Sequence, residues 1–279
     1  RGCFCKRDAA LGCGGEAMKR SLKGTLVIAQ TTLIEALRNR ILLVSVAFAI
    51  FLLLVSIAGA SSSVGEQDRI IIDIGLASAS GLGSIIAILL LITTFAAEIK
   101  NRTAYTLLSR PVPRWAFVFG KYLGVYWAML IVVSSMFLVT AITLNIYNVK
   151  GVPDGFWSAL WLCAIEMSIV SAIAVVFSAM ASPVLAGIYS VGFVIGGNFS
   201  SDLLALAERL MEKDALSGNF FKVVYWVLPD IERFSLRTQI TNYLDLPIGY
   251  VQYGTLYGIT YSAFLLTLGM LIFSRRKAI

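Results

Sequence analysis

The chain contains no histidine and little charge. Charged side chains make up 14% of its 279 residues and apolar ones 58%, whereas soluble domains carry about 25% charged residues. Without histidine there is no Ser–His or Cys–His catalytic pair and no His-ligated metal. A Gly-x-x-x-x-Gly-Lys-Ser/Thr phosphate loop is also missing, so the chain is not expected to use ATP itself. These absences predict a polytopic membrane protein that is not an enzyme and holds no cofactor of its own.

The four cysteines do not indicate a disulfide framework. Cys3, Cys5 and Cys13 lie in a tail predicted to be cytosolic, where thiols stay reduced, and Cys163 lies in an apolar run. A metal site built on the first three would lack a fourth ligand. No metal site is therefore predicted.

A single membrane domain accounts for almost the whole chain. Residues 1–17, which precede Met18, are interpreted as a flexible tail or upstream extension, and residues 18–279 as one transmembrane domain. Apolar residues then recur at helical spacing at Leu22, Leu26, Ala29, Leu33 and Leu37. This pattern predicts an amphipathic helix at the membrane interface.

Six apolar runs predict six transmembrane helices in an all-α fold. The predicted spans are residues 41–60, 74–97, 117–145, 157–180, 184–198 and 250–273. Because a bilayer span needs about 20 apolar residues, the short fifth run is expected to be little tilted or partly re-entrant. Pro183 separates it from the fourth, since the residue before a proline disfavours helix.

The distribution of charge predicts the orientation in the membrane. Basic residues dominate at 1–40, 98–121 and 275–277, whereas 61–73, 147–156 and 199–250 are neutral or acidic. The positive-inside rule places the basic regions and both termini in the cytosol of a bacterial-type inner membrane. The net charge of +7 thus reflects topology, not nucleic-acid binding. The loop 199–249 is predicted to form an outer-surface lid of short helices resting on the membrane.

Small residues at four-residue spacing predict close helix packing, because they let neighbouring backbones approach. They are Gly75, Ala79 and Gly83, then Gly120 and Gly124, then Gly192 and Gly196, and finally Gly254 and Gly258.

Two acidic residues lie in or beside apolar runs. Glu166 is nine residues into the fourth span, where a carboxylate costs roughly 2.5–3.5 kcal/mol to insert. It is either a proton- or substrate-linked group facing the bundle interior or a structural hydrogen-bonding residue. Asp73 precedes the second apolar run and is interpreted as an interfacial residue at a helix start.

The segment 98–114 connects the second and third spans and carries a distinctive pattern. It begins with Glu98, contains a short stretch with apolar Leu107 and Leu108, and ends at Pro111 and Pro113, which stop a helix. It is basic overall and is therefore expected to form a short cytoplasmic helix.

This pattern resembles the coupling helix of type-2, exporter-type ABC transporter permeases. The matching positions are Glu98, Thr103, Leu107-Leu108-Ser109, Pro111, Arg114 and Gly120-Lys121. With the interfacial helix, the six spans and the outer loop, the resemblance covers residues 22–279. It is greatest to permeases often described as multicopper-enzyme maturation permeases, although a chain without histidine offers no copper site.

The resemblance implies a partner that supplies the energy. A separate cytosolic ABC ATPase would bind ATP and Mg²⁺, and its surface groove would hold the segment near residues 101–109. Two permease subunits are needed, as a homodimer or heterodimer embedded in lipid. The implied ATPase-coupling residues are Glu98, Arg102, Thr103, Leu107, Leu108, Arg110, Pro111 and Arg114. For Arg110 and Arg114, setting the topology is an equally weighted alternative.

Two rival functions remain open at this point. An ion-coupled secondary transporter would use Glu166, although the sequence shows no internal repeat of the kind such carriers often have. A non-transporting membrane anchor or sensor would bind the ATPase without moving a substrate.

Overall fold

The architecture is taken from a computed structural model of the chain. It describes residues 24–40, 67–101, 114–146, 155–211, 215–242 and 249–275, with single positions at 43, 47, 50, 51, 54 and 153. At 67, 68, 96–101, 114 and 215–217 it describes the backbone alone. These ranges contain helices and connections but no strand, which confirms the predicted all-α class for this part of the chain.

Nine α-helices lie within the described ranges. They are α1 Gly24–Leu37, α2 Gln67–Asn101, α3 Arg114–Ile146, α4 Phe156–Met180, α5 Pro183–Asn198, α6 Ser200–Met211, α7 Ala215–Val227, α8 Arg237–Thr241 and α9 Tyr250–Arg275. A 3-10 turn at Glu232–Phe234 precedes α8.

Four of these helices, α2, α3, α4 and α9, are long and apolar enough to cross a bilayer. The pair α5 and α6 is bent by 71° and forms either a fifth, broken span or a re-entrant segment. Most of the predicted first span, 41–60, lies outside the described residues, although positions 43, 47, 50, 51 and 54 are helical. The chain is therefore a multi-pass membrane protein, with four or five spans in its described part where six were predicted for the whole.

Helix α4 lies at the centre of the bundle. Apart from Glu166 it is uncharged, and its middle is buried around the whole circumference, as expected for a helix apolar on every face. It packs against α2, α3, α5 and α9. Its large exposed side chains are at its two ends: Trp157 and Trp161 in the first turns and Met180 in the last. Tryptophan is the residue type favoured at the membrane interface.

The small residues of α2 lie against its neighbours. A Cβ atom on Gly75 would lie 2.7 Å from Thr140 Cγ2 of α3, and one on Gly83 would lie 3.2 Å from Met167 Cε of α4. Ala79, between them on the same face, is fully buried. The helices approach closely here because these positions lack side-chain bulk.

Helix α1 docks on α3 through the Gly120-x-x-x-Gly124 pair. A Cβ on Gly120 would lie 3.0 Å from the carbonyl oxygen of Thr25, and one on Gly124 would lie 2.7 Å from that of Ala29. Leu26 and Leu37 of α1 point away from the protein, 61% and 42% exposed, whereas Leu33 is half-buried and packs against the core. Ala29, expected on the membrane face, instead packs against α3.

Lys121 falls in the basic region 98–121 that is predicted to be cytosolic, but only 2% of its side chain is exposed. Its Nζ atom is 3.5 Å from Glu35 Oε2 of α1, which is 48% exposed. A buried lysine needs a counter-charge. The ion pair therefore joins α1 to α3 beside the glycine seam.

The two ends of the bundle differ. At one, the α1 end, Phe117 at the start of α3 contacts Phe95 near the end of α2 and Phe273 near the end of α9. At the other, residues 228–241 cover the first turns of α4 and α9. We call residues 228–241 the strap and this end the strap end.

The strap corrects the prediction of a lid that rests on the membrane. Short helices do occur in the loop 199–249, and α7 exposes Phe220 and Trp226. The strap, however, enters the bundle: Ile231, Phe234, Leu236 and Ile240 are each at most 2% exposed. Adding these four apolar side chains to the core is favourable because it removes them from water.

We predict that Gly124→Ala loosens the docking of α1. The added methyl group would press on Thr32 and on a backbone carbonyl, and overpacking of this kind costs about 1–3 kcal/mol. Thermal unfolding of the purified chain should show a lower Tm than wild type.

Gly192→Ala is the matched control, because a Cβ there meets no atom of the described chain within 4 Å. It should leave the Tm unchanged or raise it, since alanine favours helix over glycine by about 1 kcal/mol. Equal Tm values for the two variants would contradict the close seam between α1 and α3.

Candidate functional site

The single acidic residue of α4 lies inside the bundle and is hydrogen-bonded. Glu166 is 1% exposed. Its Oε1 atom accepts a hydrogen bond from Ser80 Oγ of α2 at 2.7 Å and a longer one from Ser84 Oγ at 3.4 Å. Ser80 and Ser84 are one helical turn apart, so both hydroxyls reach the same carboxylate. Donors of this kind stabilise a buried carboxylate.

A cavity of about 20 Å³ adjoins this carboxylate on the strap side. Its walls include Glu166, Cys163, Phe234 and Arg237. The volume suffices for one water molecule, and polar groups from α4 and from the strap face it. The strap therefore closes the space directly above Glu166.

A larger cavity of about 350 Å³ lies between α2 and α5. Its polar border is formed by Ser80, Ser84, Asn198, Ser235 and Arg237. Aliphatic residues form the rest, namely Ala77, Ile85, Ile88, Val191, Val194 and Ile195, with Gly81 between them. Small-molecule sites commonly have this size and this mixture of lining groups.

The two cavities share a wall. Ser80, Ser235 and Arg237 border both of them. Glu166 thus lies on one side of this wall and the larger cavity on the other. The hydroxyls of Ser80 and Ser84 would therefore lie between Glu166 and a ligand in the larger cavity.

Several contacts hold the strap in place. The Ile231 N–H donates to the Gly197 carbonyl of α5 at 3.2 Å, and the Asp230 N–H donates to Tyr257 Oη of α9 at 3.1 Å. The Phe234 ring packs on Gly258, where a Cβ would lie 3.1 Å from the ring. Gly258 therefore makes room for the phenylalanine that covers Glu166.

Arg237 binds the strap to α2 by a bidentate ion pair. Its Nη2 donates to Asp73 Oδ2 at 2.5 Å, and its Nε donates to Oδ1. These hydrogen bonds raise the pKa of the Arg237 guanidinium, a group that is protonated at physiological pH in any protein. Asp73, expected at a helix start, is instead in the second turn of α2.

The predicted ATPase-coupling residues are only partly within the described chain. Glu98 lies in the last turn of α2 and Arg114 begins α3, both at the α1 end and described by their backbone. The other six, Arg102, Thr103, Leu107, Leu108, Arg110 and Pro111, lie outside the described residues.

The predicted packing glycines divide by their surroundings. Gly75, Gly83, Gly120 and Gly124 lie against neighbouring helices as described above. A Cβ on Gly196 would lie 3.2 Å from Leu228 of the strap, whereas Gly192 has open space around it.

No cluster of three or more potential metal ligands occurs in the part of the chain that the structure describes. A search of curated proteins gives no match. Residues 26–277, however, match the family described as ABC-2 family transporter protein. The chain belongs to this family.

An ABC-2 family transporter is built around membrane subunits that are generally not catalytic themselves. The match covers nearly all of α1, all the described spans and the strap. The predicted resemblance to type-2 permeases is thereby confirmed.

Sequence reasoning identified Glu166 in this ABC-2 protein but missed its partners. Ser80 and Ser84 carry a detectable signal, because two hydroxyls four residues apart in an apolar run lie on one helical face. Arg237 and Phe234 carry none, since their approach to Glu166 depends on how a loop about seventy residues later in the chain folds back into the bundle.

We predict that Arg237→Gln releases the strap. The bidentate pair with Asp73 is lost, and amides 231–240 should exchange with deuterium faster. A double-mutant cycle with Asp73→Asn should give a coupling of about 1 kcal/mol, the upper range for partly exposed pairs.

Arg209→Gln, in the last turn of α6, removes an exposed arginine outside the strap and serves as control. Identical exchange of the strap in the two variants would show that Arg237 does not hold it.

Proposed function

We propose that the chain is the membrane-spanning permease subunit of an ATP-driven ABC exporter. A separate cytosolic ATPase would bind ATP and Mg²⁺ and would contact the segment 98–114. Two permease subunits, identical or different, would assemble in a bacterial-type inner membrane with both termini in the cytosol. The family match over residues 26–277 is the observation that carries this proposal.

The geometry of α2 and α3 supports the coupling role. Helix α2 is continuous over 35 residues and α3 over 33, so each is about 50 Å long and exceeds the ~30 Å hydrocarbon core. The apolar part of α2 ends at Phe95, yet the helix continues to Asn101. Two stiff helices thus lead directly into the proposed coupling segment.

Helix α1 adds a brace at the same end. It is fixed to α3 by the glycine seam and by the Glu35–Lys121 pair. A force applied to the start of α3 would therefore displace α1 as well. The exposed leucines of α1 are suited to the lipid boundary, as in other interfacial helices.

Charge supports the proposed orientation. Lys100, Arg114 and Arg275 lie at the helix ends that meet at the α1 end. At the strap end, Arg233 and Arg237 are each paired with an acidic residue. The positive-inside bias then places the α1 end in the cytosol, which is the side where an ATPase operates.

The double substitution Leu107→Glu and Leu108→Glu should abolish coupling. Two charges would have to enter an apolar groove on the ATPase, which is unfavourable by several kcal/mol. We expect co-purification of the ATPase to fall at least tenfold, together with the ATP hydrolysis that depends on the permease.

Leu107→Met with Leu108→Met keeps the apolar volume and is the matched control. Both variants should elute as folded protein on size-exclusion chromatography. Undiminished complex with the glutamate variant would reject the coupling role. Intact ATPase binding without any substrate flux in wild type would instead favour an anchor or sensor.

Thiol labelling in intact cells tests the orientation. In a background with the four native cysteines replaced by serine, Thr103→Cys should react with an impermeant maleimide only after permeabilisation. Asn219→Cys, in α7 at the opposite end, should react in intact cells. The reverse pattern would invert the topology and remove the basis for an ATPase at segment 98–114.

A further inference from the structure

We infer that the cavity between α2 and α5 binds an amphiphilic organic amine, with its ammonium group at Ser80 and Ser84 and its apolar body along the isoleucine wall. This inference rests on the proposed function, because it gives the chemical class of a transported substrate. It adds a role for Glu166, which the proposed coupling mechanism does not use.

The charges around the cavity favour a cation. Arg237 borders the cavity and is paired with Asp73 behind it, and Glu166 lies behind Ser80 and Ser84. The first two neutralise each other in their bidentate pair. Glu166 has hydroxyl partners but no ion pair within the described residues, so the site retains one unpaired carboxylate. A buried carboxylate is most strongly stabilised by a cation.

The hydrogen bonds point the same way. Each serine uses its O–H to donate to Glu166, so the lone pairs of Ser80 Oγ and Ser84 Oγ remain for an incoming donor. Asn198 donates through Nδ2 to the Val194 carbonyl at 3.1 Å, which leaves its Oδ1 as an acceptor on the cavity border. An ammonium group supplies three donors and no acceptor. A carboxylate or phosphate would bring only acceptors, and the cationic group on the border, the Arg237 guanidinium, is already engaged by Asp73.

The remaining wall is apolar and has room. Ile85, Ile88 and Ile195 line it, and a Cβ on Gly81 would meet no atom within 4 Å. At about 350 Å³ the space suits a small amphiphile. The polar group and the apolar body of such a ligand thus have separate walls.

Glu166 is a positioning residue in this arrangement. It does not border the larger cavity, but it fixes the direction of the two hydroxyls that do. Replacing it by glutamine removes the charge while a carbonyl oxygen remains to accept from the serines. The Glu166→Gln variant should therefore keep the cavity but lose the preference for a charged ligand.

Fluorescence titration of the full-length chain in lipid nanodiscs, without ATPase or ATP, tests the site. The probe is dansylcadaverine, which joins a primary ammonium to an apolar fluorophore. Its N-acetylated form is the neutral analogue, and dansyl-6-aminohexanoate is the anionic one. We expect saturable binding of the amine, binding of the neutral analogue at least about tenfold weaker, and the weakest binding for the anion.

Glu166→Gln should weaken amine binding about tenfold and leave the neutral analogue within about twofold, so that selectivity disappears. Glu208→Gln, an exposed glutamate of α6, should keep wild-type selectivity. Retained selectivity in Glu166→Gln, or equal binding of all three probes to wild type, would overturn the assignment.

A second pair of variants keeps the test decisive if Glu166→Gln does not fold. Gly81→Leu should fill the cavity and abolish binding of the amine, whereas Gly192→Leu, in equally open surroundings on α5, should not. Binding that survives Gly81→Leu would place the amine elsewhere. Because no ATPase is present in the titration, a failure of the amine to bind would not contradict the coupling proposal. Equally, a failure of the ATPase to co-purify would not contradict amine binding.

Discussion

A carboxylate inside an apolar helix bundle must be given hydrogen-bond donors from the protein, and the arrangement of α2 and α4 meets this requirement at Glu166. Lipid supplies no donors, so every polar group in a span has to be satisfied internally. Ser80 and Ser84 do so from one face of α2. The same contact fixes the rotation of α2 against α4 and determines which side of α2 faces the cavity beside α5.

The strap completes this centre from outside the spans. Phe234 and Leu236 cover Glu166, and Arg237 connects the strap to the second turn of α2. The strap, a connection between helices, is thus part of the bundle interior. A shift of α2 along its axis would displace both Asp73, which pairs with Arg237, and Ser80, which donates to Glu166. The cavity and the strap are therefore mechanically connected to the helix that continues towards the proposed coupling segment.

At the α1 end, α1 and α3 are held together by the close approach of their backbones rather than by large side chains. Gly120 and Gly124 let α1 lie directly on α3, and the buried Lys121 pairs with Glu35 across this seam. The glycines and the lysine that resemble the family pattern thus have a physical role. They join α1 closely to α3, the span that follows the proposed coupling segment.

The sequence by itself determined the all-α class, the positions of the long spans and the family. These follow from local quantities: apolar run length, charge distribution and a short motif. It also identified Glu166, because a charge in an apolar run is visible without a structure. The sequence could not place the strap in the core, since irregularly spaced apolar residues in a loop are equally consistent with a membrane surface. Only the tertiary structure brought Ser80, Phe234 and Arg237 to Glu166 and buried Lys121, because such contacts depend on helix rotation and on long-range return of the chain, which no local pattern encodes.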